Sequence, residues 1–267
     1  MGTLQFALFY LVMAAVATGF SALGQGGGVL YTPVQLFFGI NFHTAATTSL
    51  FLIMVMSLSS TQVFRKAGFV DWPMALVLES STALGAFLGG LFSGHFSGRV
   101  LTYLFAVLIA IAALFMVRRF QRKADCDATA SDFYHWVRRV GKETYCINLG
   151  LALPVSFAAG AVSGLAGVAG GSLMVPMMVL LFGVPISIAV GSSALMVGLT
   201  ASGGFLGHLT AGQFEWKVAL ALAPGIFLGA QIGARCGVKL DKEHLKRYFG
   251  YFLLALALLL VVRTALK

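Results

Sequence analysis

The chain has 267 residues, of which 59% are hydrophobic and 10% charged, with a formal net charge of +9. A mean hydropathy of +0.91 excludes an ordinary soluble domain, whose surface needs far more charge. The positive charge does not point to nucleic acid: the cations sit in short loops between apolar runs, the pattern of cytoplasmic loops in membrane proteins.

In chain order the apolar segments fall at 4–22, 28–39, 44–64, 73–92 and 98–117, then at 145–165, 171–182, 186–207, 217–235 and 244–262. Most approach the roughly 20 helical residues that cross a ~30 Å hydrocarbon core. Beta-barrel alternation is absent, so the expected fold is an all-α membrane protein. The run Leu4–Ala22 has no charged leader and no clear small-residue cleavage site after it, and reads as a retained helix. Between the two sets of five lies 118–143, with Arg118, Arg119, Arg122, Lys123, Arg138, Arg139 and Lys142. That stretch is expected to be a cytoplasmic linker with a short amphipathic helix around Phe133–Val140.

The chain repeats itself. At an offset of 143, Gly24, Gly27, Gly28, Leu30 and Pro33 fall on Gly167, Gly170, Gly171, Leu173 and Pro176. One added residue changes the offset to 144. Thr48 and Ser49 then fall on Ser192 and Ser193, Gly68 on Gly212, Asp71-Trp72 on Glu215-Trp216, and Gly85, Ala86 and Gly89 on Gly229, Ala230 and Gly233. The expected units are membrane repeat 1 (1–117), the linker (118–143) and membrane repeat 2 (144–267). If all ten segments cross, fourteen of the eighteen Lys and Arg residues lie on one side, against twelve if the short second segments dip in and return. Five crossings per half would make the repeats inverted, as in many secondary transporters.

The second segment of each half is short and follows a glycine cluster. Glycine costs roughly 1 kcal/mol per helical position relative to alanine, so Gly24-Gln25-Gly26-Gly27-Gly28 favours a break. A helix that restarts there has N–H groups without intrahelical partners and the positive end of its dipole, an anion site with no charged side chain. The second half repeats the arrangement at Gly167, Val168, Ala169, Gly170, Gly171 and Ser172. Thr47, Thr48, Ser49, Ser192 and Ser193 are candidate neutral donors. Close helix packing alone would also explain glycines, but two matched clusters, each before a short segment, favour a binding site.

Glu79 is the one acid well inside an expected span, a candidate proton-coupling group. Gly225, Gly229, Gly233 and Gly237 form an i, i+4 stripe for close packing, and the acid–Trp pairs read as structural interface anchors. The histidines are not spaced as metal ligands, and Cys126, Cys146 and Cys236 are expected to be reduced. No catalytic constellation is found; no enzyme activity, cofactor or metal is expected. The expected partners are a small anion and the lipid bilayer, with a homodimer as a candidate assembly and no nucleic acid.

The element G-x-G-G-G-x-L-x-x-P at 24–33, its relative at 167–176 and the glycine-patterned fourth segments resemble the sulfite exporter TauE/SafE family over nearly the whole chain. The second element departs at Ala169, where the first has Gly26. The resemblance implies an inner-membrane permease that moves sulfite or a small organosulfonate such as sulfoacetate, usually outward.

Overall fold

Small residues decide which helix faces meet in this chain. A computed structural model describes residues 3–25, 27–40, 42–92, 135–141, 143–166, 171–209 and 214–241, with scattered positions between 107 and 114 and between 244 and 262. The expected segment 98–117 therefore lies almost entirely outside the described residues, whereas eleven of the nineteen positions of 244–262 are described, all of them helical. The rest of the chain is mostly helical. The helices are α1 (Thr3–Ala22), α2 (Gly28–Phe37), α3 (Phe42–Lys66), α4 (Trp72–Phe92), α5 (Leu149–Ala166), α6 (Gly171–Leu180), α7 (Ile186–Leu209) and α8 (Trp216–Lys239). Among the described residues, four stretches are long and apolar enough to cross a membrane: Leu4–Ala22, Thr47–Lys66, Ile186–Leu206 and Trp216–Lys239.

The packing is that of a protein solvated by lipid. Helix α8 buries Gly225, Gly229, Gly233 and Gly237 and turns Leu220, Leu228 and Ile232 outward. Its glycine stripe lies against α1, where Tyr10, Ala14, Thr18 and Ala22 meet Gly225, Gly229, Gly233 and Gly237 in turn. The two helices therefore run parallel, near enough for the Ser21 hydroxyl to donate to the Ala230 carbonyl at 3.0 Å. Helices α4 and α5 make the corresponding contact. Gly85 packs on the backbone of Phe157 and Ala161, Gly160 packs on that of Thr82, and Ser81 donates to the Leu153 carbonyl at 2.8 Å. This pair is parallel too.

Between the pairs, α3 crosses α7 antiparallel: Ser57 donates to the Ala194 carbonyl at 2.6 Å, and Leu50 lies over Gly204. Helix α3 runs parallel to α8, with Ser59 donating to the Phe227 carbonyl and Phe51 beside Trp216. Helix α4 runs parallel to α7, through Asp71–Ser192 and Glu79–Thr200 contacts. Helices α1, α3 and α8 thus point one way, and α4, α5 and α7 the other.

Within the stretch expected to hold a helix around Phe133–Val140, the described residues His135–Val140 form a strand instead. His135–Val140 (β1) pairs antiparallel with Glu143–Asn148 (β2), from His135 opposite Asn148 to Val140 opposite Glu143. The run His-Trp-Val-Arg-Arg-Val alternates in burial with a period of two, which fits a pleat and not a helix face. Gly141, at φ 58°, opens the two-residue turn, a conformation glycine adopts without strain. Helix α5 consequently begins at Leu149, four residues later than the apolar run suggests. A second correction concerns the thiols: Cys146 is disulfide-bonded, whereas Cys236 is free and exposed.

Filling the stripe should separate the helices. Gly233→Val places methyl groups against Thr18 and Ser21; with overpacking at about 1–3 kcal/mol the unfolding temperature should fall by roughly 5 °C. Gly203→Ala, whose added carbon meets nothing within 4 Å, should leave it unchanged in the same thermal-shift measurement.

Candidate functional site

The first glycine break is a real interruption between α1 and α2. The N–H of Gln25 returns to the Phe20 carbonyl and that of Gly24 to Ser21, closing α1, while Gly24 and Gly27 take φ of 67° and 60°. Helix α2 restarts at Gly28; the N–H groups of Leu30 and Tyr31 both reach the Gly27 carbonyl. The N–H groups ahead of Leu30 then have no acceptor inside the helix. Gly26 lies outside the described residues. The break sits deep in the fold: Tyr31, fully buried, donates from its hydroxyl to Met56 Sδ at 3.1 Å, near the middle of α3.

This break is packed shut. Gly24 abuts the carbonyl of Val190 near the start of α7, and Gly27 is covered by the Tyr31 ring. Gln25 is 2% exposed. On α7, Ser193 stands one turn beyond Val190, on the same helix face. It is fully buried, and its hydroxyl has no hydrogen-bond partner. Ser192 accepts the Asp71 N–H at 3.0 Å.

Thr47, Thr48 and Ser49 are all buried on α3, but not at the start of α2. Helix α2 runs antiparallel to α3, so they face its middle and far end. Ser49 receives the Thr32 hydroxyl at 3.0 Å and the Gln35 amide at 2.8 Å; Thr48 Oγ1 and Gln35 Oε1 have no partner. The first break, opposite Met56, is seven residues or about 10 Å away along the helix. The two sets of hydroxyls are therefore separate; among the described candidates Ser193 shares the Val190 face of α7 that meets the first break, whereas Ser192 is turned to Asp71.

At the second break, Gly167, Val168, Ala169 and Gly170 lie outside the described residues. Gly171 and Ser172 form the opening turn of α6. Glu79 is buried at 7% exposure on α4 and accepts a short hydrogen bond from the Thr200 hydroxyl of α7. A cleft of about 520 Å³ opens on the other face of α3, with Leu58, Thr61, Arg65 and Leu199 in its walls; the expected site residues do not line it.

What sequence reasoning missed is an ion-pair latch at Asp71. The carboxylate caps α4 by accepting the Met74 N–H at 3.1 Å, as an acid at a helix start should. It also takes Arg138 in bidentate fashion, Nε at 2.9 Å and Nη2 at 2.7 Å, and the Tyr145 hydroxyl at 2.7 Å. Arg138 is stacked 4.6 Å from the Trp136 ring. The hairpin is thus bolted to the α3–α4 turn, and through Ser192 to α7. Glu215, the repeat partner, is exposed and makes no cap. Burial pushes the Asp71 carboxyl up, but the hydrogen bonds from Arg138, Tyr145 and Met74 and the guanidinium charge outweigh it and hold it below its usual value. Among the described residues no group of three or more His, Cys, Asp or Glu is placed to hold a metal.

Buried hydroxyls, a helix broken deep in the fold and large apolar side chains turned outward define a multi-pass α-helical membrane protein. The family model described as sulfite exporter TauE/SafE matches residues 9–260. The chain belongs to that family. Its relatives include a probable membrane transporter protein of Haemophilus influenzae, 33% identical over 95% of this chain and 97% of the relative. The probable membrane transporter protein YunE of Bacillus subtilis is 28% identical over 90% of this chain and 91% of its own length. A probable membrane transporter protein of Xylella fastidiosa is 29% identical over 91% and 89%. No solved structure matches. The chain is accordingly a membrane transporter by family.

Asp71→Asn should destabilise the protein by about 2–3 kcal/mol, the scale of hydrogen bonds to charged groups, and expose the hairpin to protease. A carboxyl with a depressed folded-state pKa contributes stability above its unfolded value and loses it as pH falls through the folded one. The wild-type unfolding temperature should therefore drop between about pH 5 and pH 2, and the Asp71→Asn variant should show a smaller drop.

Proposed function

We propose that the protein is a secondary transporter that exports a small sulfur oxyanion or organosulfonate across the inner membrane by alternating access. The observation that carries this reading is the sulfite exporter TauE/SafE match over residues 9–260, together with relatives named as probable membrane transporters. The architecture is read as two inverted repeats, 1–117 and 144–267, joined by the basic linker 118–143. The helix directions support it. Swapping each helix for its repeat partner exchanges the parallel pairs α4/α5 and α8/α1 and returns the antiparallel pair α3/α7 to itself, with every direction reversed.

In this reading each break forms half of an anion site. The first uses the unpaired N–H groups at Gly27 and Gly28 with Gln25 and the orphan hydroxyl of Ser193. By the duplication, the second break pairs with Thr48 and Ser49, where Thr48 is also orphaned. The packed first break corresponds to a closed conformation, and outward flux requires it to part from Val190. Glu79, tied to Thr200, is the proton-coupling candidate. The anion gradient with the membrane potential is an alternative driving force.

In this reading the linker 118–143, with the hairpin it enters and the free Cys236, is cytoplasmic, as the count of Lys and Arg residues supports. A disulfide at Cys146 would there be opened by cellular thiols.

Proteoliposomes loaded with labelled sulfite, sulfoacetate, taurine and sulfate test the substrate. The double variant Gly27→Leu, Gly170→Leu should lose at least about tenfold of the flux; because Gly27 stands at φ 60° under the Tyr31 ring, Ser193→Ala is the variant that should lower flux while expressing normally. Undiminished flux would remove the site, and a folded variant of a protein that moves none of these solutes would favour a membrane scaffold. Glu79→Gln should abolish any acceleration of flux by a pH gradient. With Cys126 and Cys146 replaced by serine, Cys236 should react with a membrane-impermeant maleimide only after permeabilisation; labelling in intact cells would invert the topology.

A further inference from the structure

The cleft on the outer face of the α3/α7 crossing is unrelated to the glycine breaks and has the chemistry of a lipid site. It occupies the face of α3 opposite α2: Tyr31 and Gln35 engage Met56, Ser49 and Ala45, whereas the cleft is walled by Phe51, Leu58 and Arg65. Gly198 allows α7 to lie directly on Ser57, so the two helices meet at the floor and leave a trough of about 520 Å³ between their outward side chains. Leu58 and Leu199 are 61% and 41% exposed along it.

The two ends of the trough differ. Toward the α3 N-terminus it is apolar, with Phe51 and Met54. Toward the C-terminus of α3 it becomes polar and positive, with Thr61, Gln62 and Arg65 beside Trp72. Lys66 follows as a second exposed cation. No acidic side chain stands among the described lining residues, and Asp71, the nearest acid in sequence, is turned away into its bond with Arg138. Thr61 is 8% exposed, lines the trough, and has a hydroxyl with no hydrogen-bond partner. From Phe51 to Arg65 the trough runs fourteen residues, about 21 Å at 1.5 Å per residue. One leaflet of hydrocarbon is about 15 Å, so an acyl chain with its headgroup spans that length. A tryptophan and a cation at the polar end are the usual membrane-interface pair.

We infer that this trough binds one anionic phospholipid of the leaflet on the hairpin side. An acyl chain lies along Phe51, Leu58 and Leu199, and the phosphate is held by Arg65. Charge complementarity selects an anionic lipid over a second copy of the chain, which would set Arg65 near its own equivalent across a two-fold contact.

The test is native mass spectrometry of the full chain in detergent, titrated with phosphatidylglycerol or phosphatidylcholine of the same chains. The wild type should retain one phosphatidylglycerol at concentrations where phosphatidylcholine is retained at least about fivefold less, and Arg65→Gln should lower phosphatidylglycerol retention about fivefold. Leu199→Trp, which fills the trough, should abolish it, with Ser202→Phe as a second filling variant if the first misfolds. Arg235→Gln, a cation at the end of α8, should change nothing. Equal retention of both lipids, an equal effect of Arg65→Gln and Arg235→Gln, displacement by inorganic phosphate alone, or a dimer that buries Leu199 would each overturn the assignment.

Discussion

Everything else in this structure depends on backbone meeting backbone. In lipid there is no hydrophobic gain from pressing one leucine face on another, so helices associate where small residues let dispersion and hydrogen bonds act at short range. Gly85 and Gly160 supply that between α4 and α5, the Gly225–Gly237 stripe between α8 and α1, and Gly198 at the α3/α7 crossing. Serine hydroxyls complete these contacts: Ser21, Ser57, Ser59 and Ser81 each donate to a carbonyl of a neighbouring helix. Two cores follow, one around Phe9, Met13, Tyr31 and Met56, the other around Met74, Tyr145, Met178 and Ile188. Each joins one parallel pair and the short helix beside it to the crossing helices, through Met56 of α3 in the first and Ile188 of α7 in the second.

The two halves are alike in their frame and unlike in their ends. Asp71 is capped, latched and buried where Glu215 is exposed, and Glu79 has Ala223 as its repeat partner. The hairpin is anchored to the first of these ends and through it to α7. The charged groups at Asp71 and Glu79 thus distinguish the two halves, while the glycine positions Gly85 and Gly89 match Gly229 and Gly233 in the sequence.

Much of this was legible in the sequence, for identifiable reasons. Apolar run length located eight helices to within a few residues because nothing else in the chain could satisfy a backbone in lipid. The glycine cluster located the first break, since four glycines in five residues oppose a helix strongly enough to override context. The hairpin was not legible as such. His135–Val140 is amphipathic at either period over six residues, and its basic content suggested a helix at the membrane surface. Nor could sequence show that Arg138 reaches Asp71, 67 residues away. The hydroxyl clusters were found, but their assignment to a break was not, because that needs the antiparallel register of α2 on α3.

The parallel packing of α1 on α8 bears on how the protein is made. Ser21 and Ala230 are 209 residues apart, and at 5–20 residues per second the ribosome needs roughly 10–40 s to supply the second after the first. Throughout that interval the α1 face destined for glycine has lipid or the insertion machinery as its neighbour. Its polar groups on that face are modest: Thr18 bonds back to the Ala14 carbonyl at 2.9 Å and Ser21 to Thr18 at 3.2 Å. A helix that can satisfy its own hydroxyls in this way is one that can wait alone in the bilayer until its partner is synthesised.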